Sequence, residues 1–222
     1  MSQALVSCLT VTENRVPLLR RAVRCFQHQT LEPRELVVVH GADDQDTSGY
    51  VASLDDARIR AISAPPGSAL GARRNFAADQ ARGEFIAVWD DDDWYAPERL
   101  STQVQAMAQT GKAACFLSRL MLFDLKRQTL AISTQRAWDG SLVVRRSELP
   151  RYADELTRGE DRPVRTALLE AKAATFVQRP ELYVYTYHGA NTCSAEHWQQ
   201  LFANARPLRA DQEGALLARM AS

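Results

Sequence analysis

Short apolar runs alternate with stretches of helical period through the first half of the chain. Ala4 to Thr10 is apolar and partly β-branched, and Asn14 and Pro17 then introduce Leu18, Leu19, Ala22, Val23 and Phe26 at helical spacing, which predicts a strand followed by a helix. Glu35 to His40 repeats the strand pattern with Leu36, Val37, Val38 and Val39, a continuous apolar run of the kind buried on both faces of a parallel sheet. Arg58 to Ile62 alternates and reads as a third strand. Leu70 to Ala81, rich in alanine and arginine, reads as a helix closed by Gly83, and Phe85 to Trp89 is the next apolar run. This alternation over residues 1–95 predicts an open α/β sheet, in which ligands bind at the carboxyl ends of the strands.

The second half lacks that rhythm. Pro97 opens a helix with Leu100, Val104, Met107 and Ala108 on one face, and Gly111 ends it. Ala113 to Phe123 and Leu130 to Thr134 read as strands joined by a polar turn, Leu142 to Arg145 as another, and Tyr183 to Tyr187 as a last one that delivers His188, Gly189, Ala190 and Asn191. His197 and Trp198 fall in an amphipathic helix within the C-terminal segment Ala195 to Met220. With no internal repeat, linker or low-complexity stretch, one mixed sheet in one domain spanning 1–222 is expected, and length alone also fits two small domains.

Four aspartates, Asp90 to Asp93, follow directly on the apolar run that ends at Trp89. Two like charges ~4 Å apart repel by roughly 4 kcal/mol at the effective dielectric of a protein surface, so several carboxylates at a strand end call for a counterion. Were the strand extended through them, Asp90 and Asp92 would share one face and Asp91 and Asp93 the other. Oxygen ligation suits a hard divalent ion such as magnesium or manganese. The bland alternative is a solvated acidic turn or the start of the next helix, and for Asp93 that alternative is the expectation.

Composition narrows the partners. The 222 residues are 45% hydrophobic, enough for a substantial core, and 27 basic residues balance 27 acidic ones, which leaves no general field to attract nucleic acid or an anionic membrane. Any phosphate must be bound locally. Cys8, Cys25, Cys115 and Cys193 are widely separated and form no Cys-x-x-Cys pair, so buried free thiols are expected rather than a zinc or redox motif. No apolar run approaches the ~20 residues needed to span a bilayer and no signal peptide is visible, which predicts a cytoplasmic protein.

Three further groups could carry chemistry. Gly159-Glu160-Asp161 precedes a helical stretch with Val164, Leu168 and Ala171 on one face; its acids either complement the helix dipole or hold a carboxylate out as a general base. Arg73, Arg74 and Asn75 lie at a loop-to-helix transition after Pro65-Pro66-Gly67, where guanidinium forks favour phosphate or a planar base edge, unless they are merely solvated. His188 is either a metal ligand or a hydrogen-bonded histidine at a strand end.

Taken in order, the first strand, the Thr-Glu-Asn-Arg turn at 12–15, Glu-Leu-Val-Val-Val, Gly-Ala-Arg-Arg-Asn, the segment Gly83 to Leu100 and Gly159-Glu160-Asp161 resemble the family 2 glycosyltransferases of the GT-A fold, from about Val6 to Asn191. The resemblance implies a single α/β GT-A domain, with residues 1–95 as the nucleotide-binding half and 96–222 as the acceptor side with its C-terminal helix. It implies a nucleotide-diphosphate sugar donor, a bound Mg or Mn ion, inversion at the anomeric carbon, and a sugar or lipid-linked acceptor. Asp161 matches the general base, with Glu160 supporting it. Asp92 matches the metal-ligating aspartate, and His188 falls where some members add a ligand. Thr10, Glu13, Arg15, His40, Arg74, Asn75, Asp90 and Asp91 fall around the nucleotide.

One departure stands out: after the second strand the family usually has Asp-Asp-Gly-Ser, whose aspartate reads uracil, where this chain has His40-Gly41-Ala42-Asp43. Asp43, Asp44 and Asp46 come slightly later, and thymidine or guanosine donors stay open beside uridine. The expected setting is synthesis of bacterial surface polysaccharide or glycoconjugate, in the cytoplasm or at the inner face of the membrane. A homodimer and a peripheral membrane contact through the C-terminal segment stay open. The rival readings are a sugar nucleotidyltransferase, disfavoured because Thr10 to Arg15 holds no glycine for a triphosphate loop, and a non-catalytic nucleotide-sugar-binding module. Trp138, Arg151 and Tyr152 are the candidates on the acceptor side.

Overall fold

The structure, a computed structural model, describes residues 4–221. In chain order its elements are β1 (Val6–Val11), α1 (Val16–Gln27), β2 (Arg34–His40), α2 (Gln45–Ala52), β3 (Ile59–Ser63), α3 (Leu70–Gln80), β4 (Phe85–Val88), β5 (Trp94–Tyr95), α4 (Arg99–Thr110), β6 (Ala114–Leu117) and β7 (Met121–Asp124). β8 (Thr129–Ile132), β9 (Val143–Arg145), α5 (Arg162–Glu170), β10 (Ala174–Val177), β11 (Tyr183–Tyr187), α6 (Ala195–Ala203), β12 (Arg206–Pro207) and α7 (Ala210–Ala221) complete it.

A seven-stranded mixed sheet runs in the order β10-β6-β9-β4-β1-β2-β3, parallel except at β9. Helices cover both faces, as the unbroken apolar runs predict. Cys8, Leu36, Val38 and Ala87 pack on one side with Leu19, Val23 and Phe26 of α1 and Leu100 and Met107 of α4. Leu9, Val37, Val39, Ile86 and Val88 pack on the other with Ala77 of α3 and Val164 and Leu168 of α5. Burying one such side chain contributes roughly 1.5–3 kcal/mol, and this two-sided core fixes where the strand ends lie. β1, β2 and β4 run parallel in register, so their carboxyl ends open at one edge of the sheet.

The single mixed sheet expected for the whole chain is joined by a second sheet of five strands, β12-β8-β7-β11-β5. The stretch 113–123, read as one strand, is divided because β6 belongs to the first sheet and β7 to the second. At the crossing, side-chain hydroxyls replace strand partners: Leu117 N donates to Ser141 Oγ at 2.9 Å and Leu120 N to Ser133 Oγ at 2.8 Å. Such hydroxyl-to-backbone bonds carry no hydropathy signal. The short α2 and the strands β5 and β10 also escaped the periodicity, and the C-terminal segment is two helices with β12 between them. α6 docks on β11 through Trp198, which stacks on Tyr187 with centroids 4.9 Å apart and planes 10° apart. That stacking fixes the segment that starts at His188. Among the described residues no helix is long and apolar enough to cross a membrane.

Candidate active site

The extended geometry assumed for the aspartates ends before them, since β4 stops at Val88 and Asp91-Asp92 form a turn. Asp91 and Asp92 therefore face the same way. Arg15, at the start of α1, places Nη2 2.5 Å from Asp92 Oδ2 and 3.2 Å from Asp91 Oδ1. Thr12 Oγ1 donates to Asp91 Oδ2 at 2.5 Å, and Arg21 Nη2 donates to the Asp92 carbonyl. On the far side of Asp92, His188 Nε2 shares a hydrogen bond with Oδ2 at 3.1 Å, and Asn191 Nδ2 lies 3.4 Å from the same oxygen. The two residues expected to ligate a metal are thus neighbours, brought together from β4 and β11.

The four carboxylates differ in environment. Burial, then Asp92, push the Asp91 carboxyl up to about 7, against the opposing pull of Arg15 and Thr12. Burial would raise Asp92 as well, but His188 and Arg15 outweigh it and hold that carboxyl below its ordinary value. Asp93 corrects its expected role as a helix starter: α4 begins only at Arg99, and Asp93 is 1% exposed. It accepts from Tyr183 Oη at 2.5 Å and from Thr186 N at 2.8 Å, and burial, then Asp92 and Asp90, raise its carboxyl well above the ordinary range. Asp93 ties the first sheet's strand end to β11. Beneath the turn, fully buried Arg99 lies among the rings of Trp89, Tyr95 and Tyr183 and donates to the Val88 and Gly140 carbonyls at 3.0 and 3.2 Å. The counterions that the sequence demanded are thus arginines in part.

Asp90 faces a different partner. Arg74, on α3, donates through Nη2 to Asp90 Oδ1 at 3.0 Å and through Nε to Glu160 Oε1 at 2.9 Å. Burial works against that guanidinium's charge, and Asp90, Tyr152 and Glu160 more than offset it. Glu160 is buried in this bond and so steadies the turn that carries Asp161.

The turn itself rests on α3 by close backbone approach. A Cβ on Gly71 would lie 1.8 Å from the Ala153 carbonyl oxygen, Gly71 N donates to Leu156 O at 3.0 Å, and Gly159 takes φ +70°, a left-handed conformation that suits glycine. Asp161 occupies the N-cap position of α5 without capping it. Pro163 at the second helical position removes one of the two N–H groups that a cap would bond. Among the described residues the half-buried Asp161 carboxylate accepts no hydrogen bond and joins no ion pair. It lines a small cavity of about 30 Å³ with Arg74, Asp90, Asp139, Tyr152 and Arg165 around it. Asp139 pairs with Arg165 through Oδ2 while its buried Oδ1 has no partner, and burial, then Asp161, push its carboxyl up to about 6.

Several expected nucleotide contacts are committed elsewhere. Thr10 is buried and donates to the Trp89 carbonyl at 2.6 Å. Asn75 spends its amide on the turn, accepting from Tyr152 N at 2.9 Å and donating to Tyr152 O and Asp154 Oδ1 at 2.9 and 2.6 Å. His40 is buried with Nδ1 2.8 Å from the Gly41 carbonyl, and Glu13 pairs with Arg73 at the surface. Asp44 caps α2, accepting from Thr47 N at 3.0 Å and from Asn14 N at 2.6 Å. Thr12, Arg21, Arg99, Asp139, Arg165 and Tyr183, which the structure brings to the site, were not singled out as site residues from the sequence.

The sequence model of Glycosyl transferase family 2 matches residues 7–165, well over half of the chain. The protein belongs to that family. It is 34% identical over 119 residues to the GalNAc(5)-diNAcBac-PP-undecaprenol beta-1,3-glucosyltransferase of Campylobacter jejuni, covering 50% of this chain and 37% of that protein. The chain spans less than half the length of the curated relatives it matches. In three dimensions it resembles S. aureus TarS 1-349 in complex with UDP, at TM-score 0.67 and 19% identity over 97% of this chain and 70% of that one. The mannosyltransferase PcManGT from Pyrobaculum calidifontis, in complex with GDP-Man and Mn2+, gives TM-score 0.64 at 15% identity over 91% and 63%. These likenesses establish the mixed α/β GT-A architecture of this family member.

Proposed function

We propose that the protein is an inverting, metal-dependent glycosyltransferase that moves a sugar from a nucleoside diphosphate to an acceptor hydroxyl, in the synthesis of bacterial surface polysaccharide or glycoconjugate. The observation that carries this reading is the Asp161 carboxylate, half-buried and without a partner beside a cavity walled by Arg74 and Asp90. A carboxylate left unpaired at a helix start beside a cavity suits proton abstraction. In the displacement the acceptor oxygen bonds to the anomeric carbon, the carbon–phosphate oxygen bond breaks, its electron pair leaves with the nucleoside diphosphate, and Asp161 takes the hydroxyl proton.

Among the described residues no three His, Cys, Asp or Glu side chains stand together as a metal cage. Asp92 and His188 fit a divalent ion nonetheless, because magnesium and manganese are commonly held by one or two protein groups together with substrate phosphates. Such an ion, when bound, would offset the charge on the diphosphate leaving group. Arg15, now paired with Asp91 and Asp92, is placed to turn its second fork towards the same phosphates. Arg74 holds Asp90 and Glu160 in place.

UDP in a TarS complex and the undecaprenol-linked name of the C. jejuni relative support a nucleotide-sugar donor and a lipid-linked or sugar acceptor. With His40 turned to Gly41 and Asp44 used as a cap, the base is to be identified by experiment. A thermal-shift panel of UDP-, GDP- and dTDP-sugars with and without Mn²⁺ should give a rise in melting temperature with one donor class, larger with metal, since donor binding stabilises the folded state by mass action. No shift with any donor in either condition would end this reading.

A further inference from the structure

At the edge where β1, β2 and β4 open, Glu13 bridges two strand ends. It follows β1 and reaches over the end of β2, where a Cβ on Gly41 would lie 2.6 Å from Glu13 Oε1 and 3.0 Å from its carboxyl carbon. The carboxylate therefore rests on main chain, in room that a glycine leaves. Its other oxygen, Oε2, pairs with Nη1 of Arg73 on α3, and Arg73 is steadied in turn by Nε donating to the Ser68 carbonyl at 3.0 Å. The Glu13 side chain is 49% exposed, yet it is held from two sides. Among the described residues Oε1 accepts no hydrogen bond. The other polar groups here are spent or turned away: His40 is buried on the Gly41 carbonyl, Asp44 caps α2, and Asp43 and Asp46 are exposed around the start of that helix.

We propose that Glu13, with Arg73 beside it, is the residue that reads the base of the nucleotide donor. A carboxylate oxygen next to a guanidinium offers an acceptor flanked by a donor, which is the complement of a ring N–H flanked by a carbonyl. Uracil, thymine and guanine carry that pair of groups. Cytosine and adenine instead present a bare ring nitrogen, whose lone pair would face the carboxylate. The sheet supplies the spacing: its order β4-β1-β2 puts Gly41 two strands from the aspartate turn, and neighbouring strands lie about 4.8 Å apart, so these ends are roughly 10 Å from each other. A nucleoside spans such a distance from its phosphate to the far edge of its base. The diphosphate would thus lie at Asp92 and the base at Glu13, along the crevice that the strand ends of an open α/β sheet form. The proposal rests on the nucleotide-sugar donor proposed above and adds which residue selects it.

The test is isothermal titration calorimetry of UDP, dTDP, GDP, CDP and ADP, each with Mn²⁺, into wild type, Glu13→Ala, Glu13→Gln and Asp43→Asn. All five ligands share the diphosphate, so differences among them report the base. Wild type should bind UDP, dTDP or GDP about tenfold or more tighter than CDP and ADP, the contribution of a charge-assisted hydrogen bond. Glu13→Ala should weaken the preferred nucleotide by about tenfold or more and leave CDP and ADP unchanged, whereas Glu13→Gln, which can still turn an oxygen to the base, should lose less. Asp43→Asn should change nothing. Discrimination kept in Glu13→Ala, discrimination lost in Asp43→Asn, or a wild type that takes all five alike or prefers CDP or ADP would overturn the assignment of Glu13 while leaving a nucleotide donor in place. A wild type that binds none of the five would overturn the nucleotide-donor reading itself, and this assignment with it.

Discussion

Two acidic turns face each other across Arg74, and they are built on opposite principles. In the turn of Asp90 to Asp93 every carboxylate is engaged, by Arg74, Thr12, Arg15, His188, Tyr183 or the Thr186 amide. In the turn of Glu160 and Asp161 the first acid is tied to Arg74 and the second to nothing among the described residues. Engaged acids hold geometry and gather cations; an unengaged one keeps its lone pairs for a substrate proton. On the proposed reading, the adjacent residues of one short turn therefore divide into a support and a reagent.

The sharpest way to break that contrast is to neutralise one acid on each side. Asp161→Asn should cut transfer on the order of 100-fold or more while donor binding stays nearly intact, as for an interaction used in the chemical step. Asp92→Asn should instead act on binding, weakening the Mn²⁺-dependent thermal shift with donor by about tenfold or more in apparent metal affinity. If both variants lose donor binding alike, the division between support and reagent is wrong.

A second comparison lies inside the engaged turn. Asp93→Ala leaves the Tyr183 hydroxyl and Thr186 amide without their buried acceptor and should lower stability by about 2 kcal/mol or more in urea unfolding, whereas Asp93→Asn, which keeps an oxygen there, should lose less. Equal losses would show that charge, not hydrogen bonding, is what the fold needs at this position.

Asp139 supplies a pH signature for the unengaged side. Its folded carboxyl titrates near 6 against an ordinary value of 3.8, so the folded state binds the proton more tightly than the unfolded chain. That contribution to stability is fully present below the ordinary value and is lost as pH rises through about 6. Asp139→Asn should flatten this part of the stability profile between pH 4 and about 6.5. An unchanged slope would remove Asp139 as its source. The smallest effect belongs to the acids at the end of β2: Asp44→Ala should lower stability by about 1 kcal/mol through the lost cap of α2 and leave transfer unchanged.

How legible all this was in the sequence depended on how far away the partners lie. β1, β2, β4 and their helices were readable because hydropathy period is local, and so were the aspartate run and the Gly-Glu-Asp turn. The fate of Asp93 was not, since its partners Tyr183 and Thr186 lie 90 and 93 residues on and nothing near Asp93 announces them. The partners of Asn75 were hidden for the same reason: its amide bonds Tyr152 and Asp154, 77 and 79 residues away. The second sheet was hidden because the break between β6 and β7 is made by serine hydroxyls from later in the chain. In contrast, the pairing of Asp92 with His188, 96 residues apart, followed only from the family pattern and not from any local signal.

The seat of the Asp161 turn on α3 is made of main chain: Gly71 against the Ala153 carbonyl, with Leu156 and Glu160 carbonyls taking the N–H groups of Gly71 and Ala153. Side chains at Glu155 to Arg158 are exposed and take no part in it. Variation there can reshape the surface beside the cleft without displacing Asp161, so on the proposed reading the recognition of new acceptors and the preservation of the chemistry are separable in heredity. A library randomised at those four positions should retain the seat, and with it the reaction, while sampling new partners.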